Sequence, residues 1–222
     1  AITSCCTPVL SQASLPPVET LGVYSGSAAE TRTVLTFKIN DDVAQKLLPE
    51  GWTLSPIAQG PAKGANLAMV FAERMTTVGA DGKPVGGEEA SVILSIPAKN
   101  GSENAFAIIE AYSDPGTAPG FYKVGKTAKV TFERLLRVAN LTGTTQEAWT
   151  VKGDGGEQIT FRIGYERLQP TRMQFDSRNV SALDPKVRRT YRIDQGLVVL
   201  ASAPNGVNQA KDVTLTASGG LL

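Results

Sequence analysis

The chain has no histidine at any of its 222 positions. That absence removes Ser-His-Asp triads, Cys-His dyads and every histidine-ligated zinc, iron or copper site. Any general acid or base must come from Glu, Asp, Lys, Tyr or Cys. Cysteine is scarce too. The only two, Cys5 and Cys6, are neighbours, and adjacent residues rarely reach the roughly 4.4–6.8 Å Cα separation of a disulfide. No structural disulfide is expected in the core. Neither sign of charge dominates, with 22 Lys and Arg against 21 Asp and Glu. Bulk charge therefore gives no reason to expect nucleic acid or an anionic membrane as partner. No run approaches the about 18 apolar residues of a membrane-crossing helix. There is no P-loop, G-x-G-x-x-G, G-x-S-x-G or Cys/His ligand cluster.

What is present reads as a soluble globular chain: 41% hydrophobic and 19% charged residues. It is long enough for one large domain with a real core, expected over residues 21–222. "SQASLPP" reads as part of an unstructured leader over residues 1–20. "AITSCC" has two readings. In one, "ITSC" is the tail of a lipobox, Cys5 is lipidated, and the protein belongs to a cell envelope. In the other, Met has been removed before Ala1 and the protein is cytoplasmic. Localisation stays open between them.

Short strands dominate the rest. In "RTVLTFKIN" (32–40), Leu35, Phe37 and Ile39 share one face and Thr36 and Lys38 the other, the pattern of a half-buried strand. A short helix follows, capped by Asn40 or Asp41, with Val43, Ala44, Leu47 and Leu48 as its apolar stripe and Pro49 as its end. Further strands are expected in "LAMVFAERM" (67–75), "ASVILSIP" (90–97), "AFAIIEAY" (105–112) and "TAKVTFERLL" (127–136). "EAWTVKGDGGEQITFRIGYE" (147–166) is the clearest hairpin, turning at Gly153–Gly156. "RTYRI", "LVVLASA" and "DVTLTAS" close the series. Many short strands with few helices predict a mainly β, antiparallel, closed or sandwiched fold, and a barrel would hide the strand edges.

Chemistry-bearing residues are few. The basic run "PKVRRTYR" (185–192) is a solvated strand or turn, or an anion-binding patch. Glu88 and Glu89 open a strand that points only one of them inward. Glu110 lies in an apolar run and is expected to face a cavity, because lone buried acids are rare unless paired or functional. Glu133 is ambiguous. In "GFYKVGKTAKV" (120–130), strand alternation gives Lys123 and Lys129 one parity and Lys126 the other. A catalytic lysine needs a desolvated amine or a neighbouring cation to lower its pKa.

Three stretches together resemble the acetoacetate decarboxylase-like superfamily: "LTFKINDDVAQKLLPEGWTL" (35–54), "FAIIEAYSDPGTAPGFYKVGKTAKVTF" (106–132) and "QPTRMQFDSRNVSALDPKVRRTYRIDQGLVVL" (169–200). The resemblance spans about residues 30–201. It implies a cone-shaped, partly closed antiparallel β barrel with a few short helices and an internal, largely apolar cavity. It also implies a cofactor-independent lyase, decarboxylase-like, that binds a keto acid as a lysine Schiff base, with no metal or organic cofactor. The family often assembles into homo-oligomers. Residue by residue, the family's "PKK" falls on Tyr122, Lys123 and Val124. Lys123 is the implied Schiff-base lysine, Glu89 the group that orients substrate or shuttles a proton, and Arg32 the group nearest the family's arginine. Trp52, Phe121 and Tyr122 would line the cavity. Two departures stand out: the second lysine is Val124, and the family's "GRE" is replaced by "GTAPG".

Three functions follow. The first is an enzyme acting on a small keto acid or related carbonyl compound through Lys123. The second is an enzyme of the same fold with non-imine chemistry (aldol, dehydration or cyclisation), using Glu110, Tyr122 or Glu133 as acid or base. The third is a non-catalytic binder of a hydrophobic small molecule.

Overall fold

The computed structural model describes residues 22–139, 142–167 and 169–219. The expected leader, with Cys5 and Cys6, lies outside these residues. Alternation builds the first strand. In β1 (Gly26–Phe37) the odd-numbered Thr31, Thr33, Leu35 and Phe37 are half-buried, while Arg32, Val34 and Thr36 are exposed. The strand begins at Gly26, ahead of the stretch that alternation marked. Asn40 then caps α1 (Asp41–Lys46), its Oδ1 accepting from the N–H groups of Asp42 and Val43 at 2.9 and 3.2 Å. Asp41 and Asp42 suit the positive end of the helix and Lys46 the negative end. Ala44 is fully buried. Val43, expected in the apolar stripe, is 52% exposed, because so short a helix presents one narrow face to the sheet.

The other strands are β2 (Thr53–Leu54), β3 (Leu67–Gly79), β4 (Glu89–Asn100), β5 (Glu103–Ser113), β6 (Gly125–Ala139) and β7 (Thr142–Gly153). After them come β8 (Gln158–Arg167), β9 (Thr171–Ser181), β10 (Arg188–Leu197), β11 (Ala201–Ser202), β12 (Val207–Asn208) and β13 (Ala210–Ser218). Among the described residues, eleven strands join one sheet, with the path β1-β3-β4-β5-β6-β7-β8-β13 and β2, β9 and β10 attached to its side. Most neighbours are antiparallel, as expected. Two pairings are parallel: Ala111–Ser113 of β5 with Gly125–Thr127 of β6, and Phe106–Ile108 of β5 with Asn179–Ser181 of β9. The sheet is therefore mixed around β5, and a crossover loop, residues 114–124, joins β5 to β6.

Two segments differ from the sequence reading. "LVVLASA" is not one strand. Val198 and Val199 leave the ladder to pack against the core, and pairing resumes only in the short β11. β9 is not marked in the sequence because its apolar alternation stops after Met173 and Phe175; Thr171–Asp176 are all exposed and only Val180 and Ser181 are buried.

The sheet curls so that inward residues of β3 to β8 meet. Phe71 stacks on Phe161 with centroids 4.5 Å apart, and Phe132 stacks on Trp149 at 4.0 Å. Phe71, Phe161 and Trp149 are 1% exposed or less. At about 25 cal/mol per Å² of apolar surface, each such side chain contributes roughly 2–3 kcal/mol. The curl stops short of closure, and side chains bridge the rim. Thr33 of β1 donates to Glu147 of β7 at 2.8 Å. Arg134 of β6 donates to Glu73, Thr31 and Glu147 at 2.5, 2.7 and 3.1 Å. Tyr165 completes the group by donating to Glu147 at 3.0 Å.

Candidate functional site

Register lines up three charged residues on neighbouring strands. Glu30 of β1 lies directly opposite Arg74 of β3, and Arg74 opposite Glu89 of β4. Directly opposed residues share a face, and this face is the one turned away from Phe71. Arg74 bridges both acids: Nε reaches Glu30 Oε1 at 3.0 Å and Nη1 reaches Glu89 Oε2 at 2.6 Å. Arg32 closes on Glu30 Oε2 through Nε at 2.8 Å and Nη2 at 2.5 Å. The carboxylate side chains are 12% and 16% exposed and the guanidinium groups 31% and 34%, so the acids sit beneath the bases. Burial alone would raise the Glu30 carboxyl. The charge and hydrogen bonds of Arg32 and then Arg74 outweigh it and hold the group below its ordinary value. Among the described residues, Arg74 Nη2 and Arg32 Nη1 make no hydrogen bond.

Two tyrosines form a separate pair: Tyr122, on the crossover loop, donates its hydroxyl to that of Tyr191 on β10 at 3.1 Å. Burial, reinforced by Tyr191, pushes the Tyr122 phenol up, so it keeps its proton. Arg189 lies 3.6 Å above the Phe121 ring, which meets Tyr122 edge-on at 5.1 Å.

The crossover loop is tightly held. Ser181 Oγ donates to the Tyr122 carbonyl at 2.6 Å, and the Lys123 N–H donates to Gly120 O at 3.2 Å. Gly125 donates to Pro119 O at 2.9 Å. A Cβ on Gly125 would lie 2.6 Å from that same oxygen, so the close approach admits only glycine.

The candidates from sequence now sort themselves. Arg32 and Glu89 are joined through Glu30 and Arg74, while Tyr122 pairs with Tyr191 and meets Phe121 edge-on. Lys123 is exposed and sits in a turn at φ 60°, outside the strand, which begins at Gly125. Its expected shared parity with Lys129 therefore does not apply. Trp52 is 3% exposed and packs in the core with Ala98, Ala105, Ala107 and Val180, so it lines no open cavity. Glu133 is exposed on β6.

Glu110 belongs to a second cluster. It is 2% exposed and accepts a short hydrogen bond from the Tyr112 hydroxyl. Lys126 Nζ reaches Glu110 at 2.7 Å and Glu157 at 3.0 Å. The hydrogen bond to Glu110 is the main reason the Lys126 ammonium holds its proton more firmly than usual. Lys126 is thus a bound cation that neutralises buried acids, the opposite of an activated amine.

Two concavities lie elsewhere. One, of about 520 Å³, opens between the segment 55–59, the β4–β5 hairpin and Asp176–Arg178. The other, of about 370 Å³ and mostly apolar, lies under α1 against Leu67, Leu94 and Ile109. In the barrel interior, where the resemblance implied a cavity, the rings of Phe71, Trp149, Phe161 and Phe132 are packed together.

Sequence reasoning missed Glu30, Arg74 and Tyr191. Arg74 lay in the strand-like run 67–75, and only the pairing partner of each strand would have placed it between two acids. Tyr191 was visible in "RRTYRI", but nothing local connects it to Tyr122.

No protein-family model matches the sequence, and none of the curated proteins does. Solved structures are similar. The enduracididine biosynthesis enzyme MppR, complexed with pyruvate, shares 15% identity over 97% of this chain and 83% of its own, with a TM-score of 0.53. The same enzyme with HEPES buffer bound gives 14% identity, 96% and 86% coverage and a TM-score of 0.53. An acetoacetate decarboxylase-like enzyme from Sphingomonas wittichii RW1 gives 14% identity, 92% coverage of both chains and a TM-score of 0.49. At these identities the likeness is one of fold. The mainly β, partly closed fold expected from the sequence is the fold found.

Proposed function

We propose that this chain acts on a small keto acid or related carbonyl compound at the Arg74 row, by acid–base chemistry that does not pass through a lysine imine. The observation that carries the reading is Arg74 itself, paired to Glu30 and Glu89, with Arg32 closing on Glu30 beside it. Arg74 Nη2 and Arg32 Nη1, unbonded among the described residues, suit a substrate carboxylate. Tyr122 donates to Tyr191, which leaves the Tyr191 proton for the substrate carbonyl oxygen. Glu89 takes a proton from the carbon beside the carbonyl. The electron pair moves onto the oxygen, where Tyr191 stabilises the developing enolate. That MppR forms a complex with pyruvate, a keto acid, supports the substrate class.

The environment of the lysines favours this over the founding chemistry of the family. Lys123 is exposed, its neighbour Val124 carries no charge, and Lys126 is engaged by Glu110 and Glu157. One observation favours the imine: Lys123 is a non-glycine residue at positive φ, fixed by the bonds at Tyr122 and Gly120, and such conformations cluster at functional sites.

Proton exchange at the α-carbon of pyruvate and longer keto acids, followed by NMR in deuterated water, tests the two together. Wild type and Lys123→Ala are expected to exchange alike, and Glu89→Gln about 10²-fold more slowly. A borohydride-reduced adduct on Lys123, or no exchange by wild type, overturns the acid–base reading.

A further inference from the structure

Helix α1 covers a gap between two parts of the core. Ala44, its small buried side chain, seats the helix on Leu67 and Ile96. Leu94 belongs to the main cluster of the barrel, which is separate. Between the two lies the apolar concavity of about 370 Å³. Leu67 and Leu94, 4% and 1% exposed, form its floor. Val43 and Leu47 stand four residues apart, on one side of the helix, and line it from above. Ile39 and Ile109 complete the wall.

Protein interiors leave few voids wider than a water molecule. Polar bonds account for this one staying open. Asn66, fully buried, accepts from the Ile39 N–H at 2.8 Å and donates to Ile39 O at 2.9 Å and to Asp41 Oδ1 at 2.8 Å. Gln45 donates to Trp52 O at 3.0 Å and accepts from the Leu54 N–H at 2.8 Å. Asn66, Gln45, Trp52 and Leu54 all lie outside the lining. The helix is therefore held off the sheet by bonds beside the gap, and sinking into the gap would break them.

The lining selects the occupant. Its one polar residue is Asn40, whose Oδ1 is engaged by the helix cap and whose Nδ2 makes no hydrogen bond among the described residues. An uncharged oxygen can accept from that Nδ2. No charged side chain lines the concavity. Asp42, next to Val43, pairs with no cation among the described residues, so a carboxylate head there is repelled. A dry apolar cavity of about 150 Å³ holds one benzene, so about 370 Å³ takes roughly ten to fifteen heavy atoms.

We infer that the concavity under α1 is a second ligand site, and that it takes an uncharged aliphatic molecule of about ten carbons with its polar end at Asn40. The site is distinct from the Arg74 row and does not depend on the function proposed there. Arg74 lies along β3 from Leu67, roughly 23 Å away in an extended strand.

Titration calorimetry of the whole chain with hexanol, octanol, decanol and decanoate tests it. Affinity for the alcohols is expected to rise about tenfold with each added pair of carbons. Decanoate is expected to bind about tenfold more weakly than decanol. Two variants locate the site. Ile109→Phe fills the wall, and Val43→Glu puts a charge at the mouth. Val43 is more than half exposed and Ile109 is half-buried, so both variants are expected to keep the wild-type circular dichroism. Each is expected to weaken decanol about tenfold, and Val43→Glu should leave α-proton exchange of pyruvate unchanged. Affinity that does not rise with chain length overturns the inference. So does decanoate binding as tightly as decanol, or folded variants that bind decanol as wild type does.

Discussion

Tyr122 and Tyr191 stand 69 positions apart in the chain and meet hydroxyl to hydroxyl at 3.1 Å. One comes from the crossover loop and the other from the second strand of a side hairpin. Their contact ties that hairpin to the crossover loop, and burial leaves the phenol of Tyr122 protonated.

Replacing Tyr191 with Phe keeps the ring and removes the acceptor. The half-buried Tyr122 hydroxyl then lacks its partner, and stability should fall by about 1 kcal/mol in urea titration. If Tyr191 holds the enolate oxygen, α-proton exchange should slow about 10²-fold in the same variant. Loss of stability with unchanged exchange would reduce the pair to a structural tie.

Arg74→Met leaves Glu30 and Glu89 on one face with only Arg32 beside Glu30. The two carboxylates stand on β1 and β4, either side of β3, and lose the cation between them; fully buried pairs cost more than this partly exposed one. A loss of about 2 kcal/mol is expected at neutral pH. The acid limb should move as well. Glu30 is held below its ordinary value of 4.5, so it contributes stability above that pH that is lost as pH falls through the folded value. In Arg74→Met the acid midpoint, followed by tryptophan fluorescence, should shift upward.

Lys126→Met strands the Glu110 carboxylate in a nearly solvent-free site. Stability is expected to drop by about 2–3 kcal/mol, and adding Glu110→Gln should recover most of it. The alkaline limb gives an independent reading. The folded Lys126 value lies above 10.5, so its contribution is complete below that pH and is lost as pH rises through the folded value. The variant should show a shallower alkaline transition.

Much of the fold could be read from short-range pattern. Leu35, Phe37 and Ile39 mark β1, Asn40 marks the helix start, and Trp149, Val151, Ile159 and Phe161 mark the β7–β8 hairpin. These signals work because a half-buried strand and a capped helix are dictated by neighbouring residues. β9 was invisible because most of it has no buried face. The site was legible in part for the same reason. Arg32, Glu89 and Tyr122 were found by resemblance, each in its own segment. Arg74, which connects Arg32 and Glu89 through Glu30, is recognised only when three strands are set side by side. The partners of Lys126 were not legible, because parity says which side a residue takes, not which acids await it there.

The bridge from Thr33 to Glu147 has a mechanical consequence. Where β1 approaches β7, no ladder of backbone hydrogen bonds runs between them. β1 and β13 are the two ends of the strand path among the described residues, and β1 meets β7 through the Thr33–Glu147 side-chain bond. Such a seam can part without tearing the ladders from β3 to β8. Amide hydrogen exchange should therefore resolve a first, low-energy opening that frees β1 and β13 together while the central strands stay protected. Thr33→Val should widen the gap between the two exchange classes. The barrel would then behave as a clasp with a defined point of release.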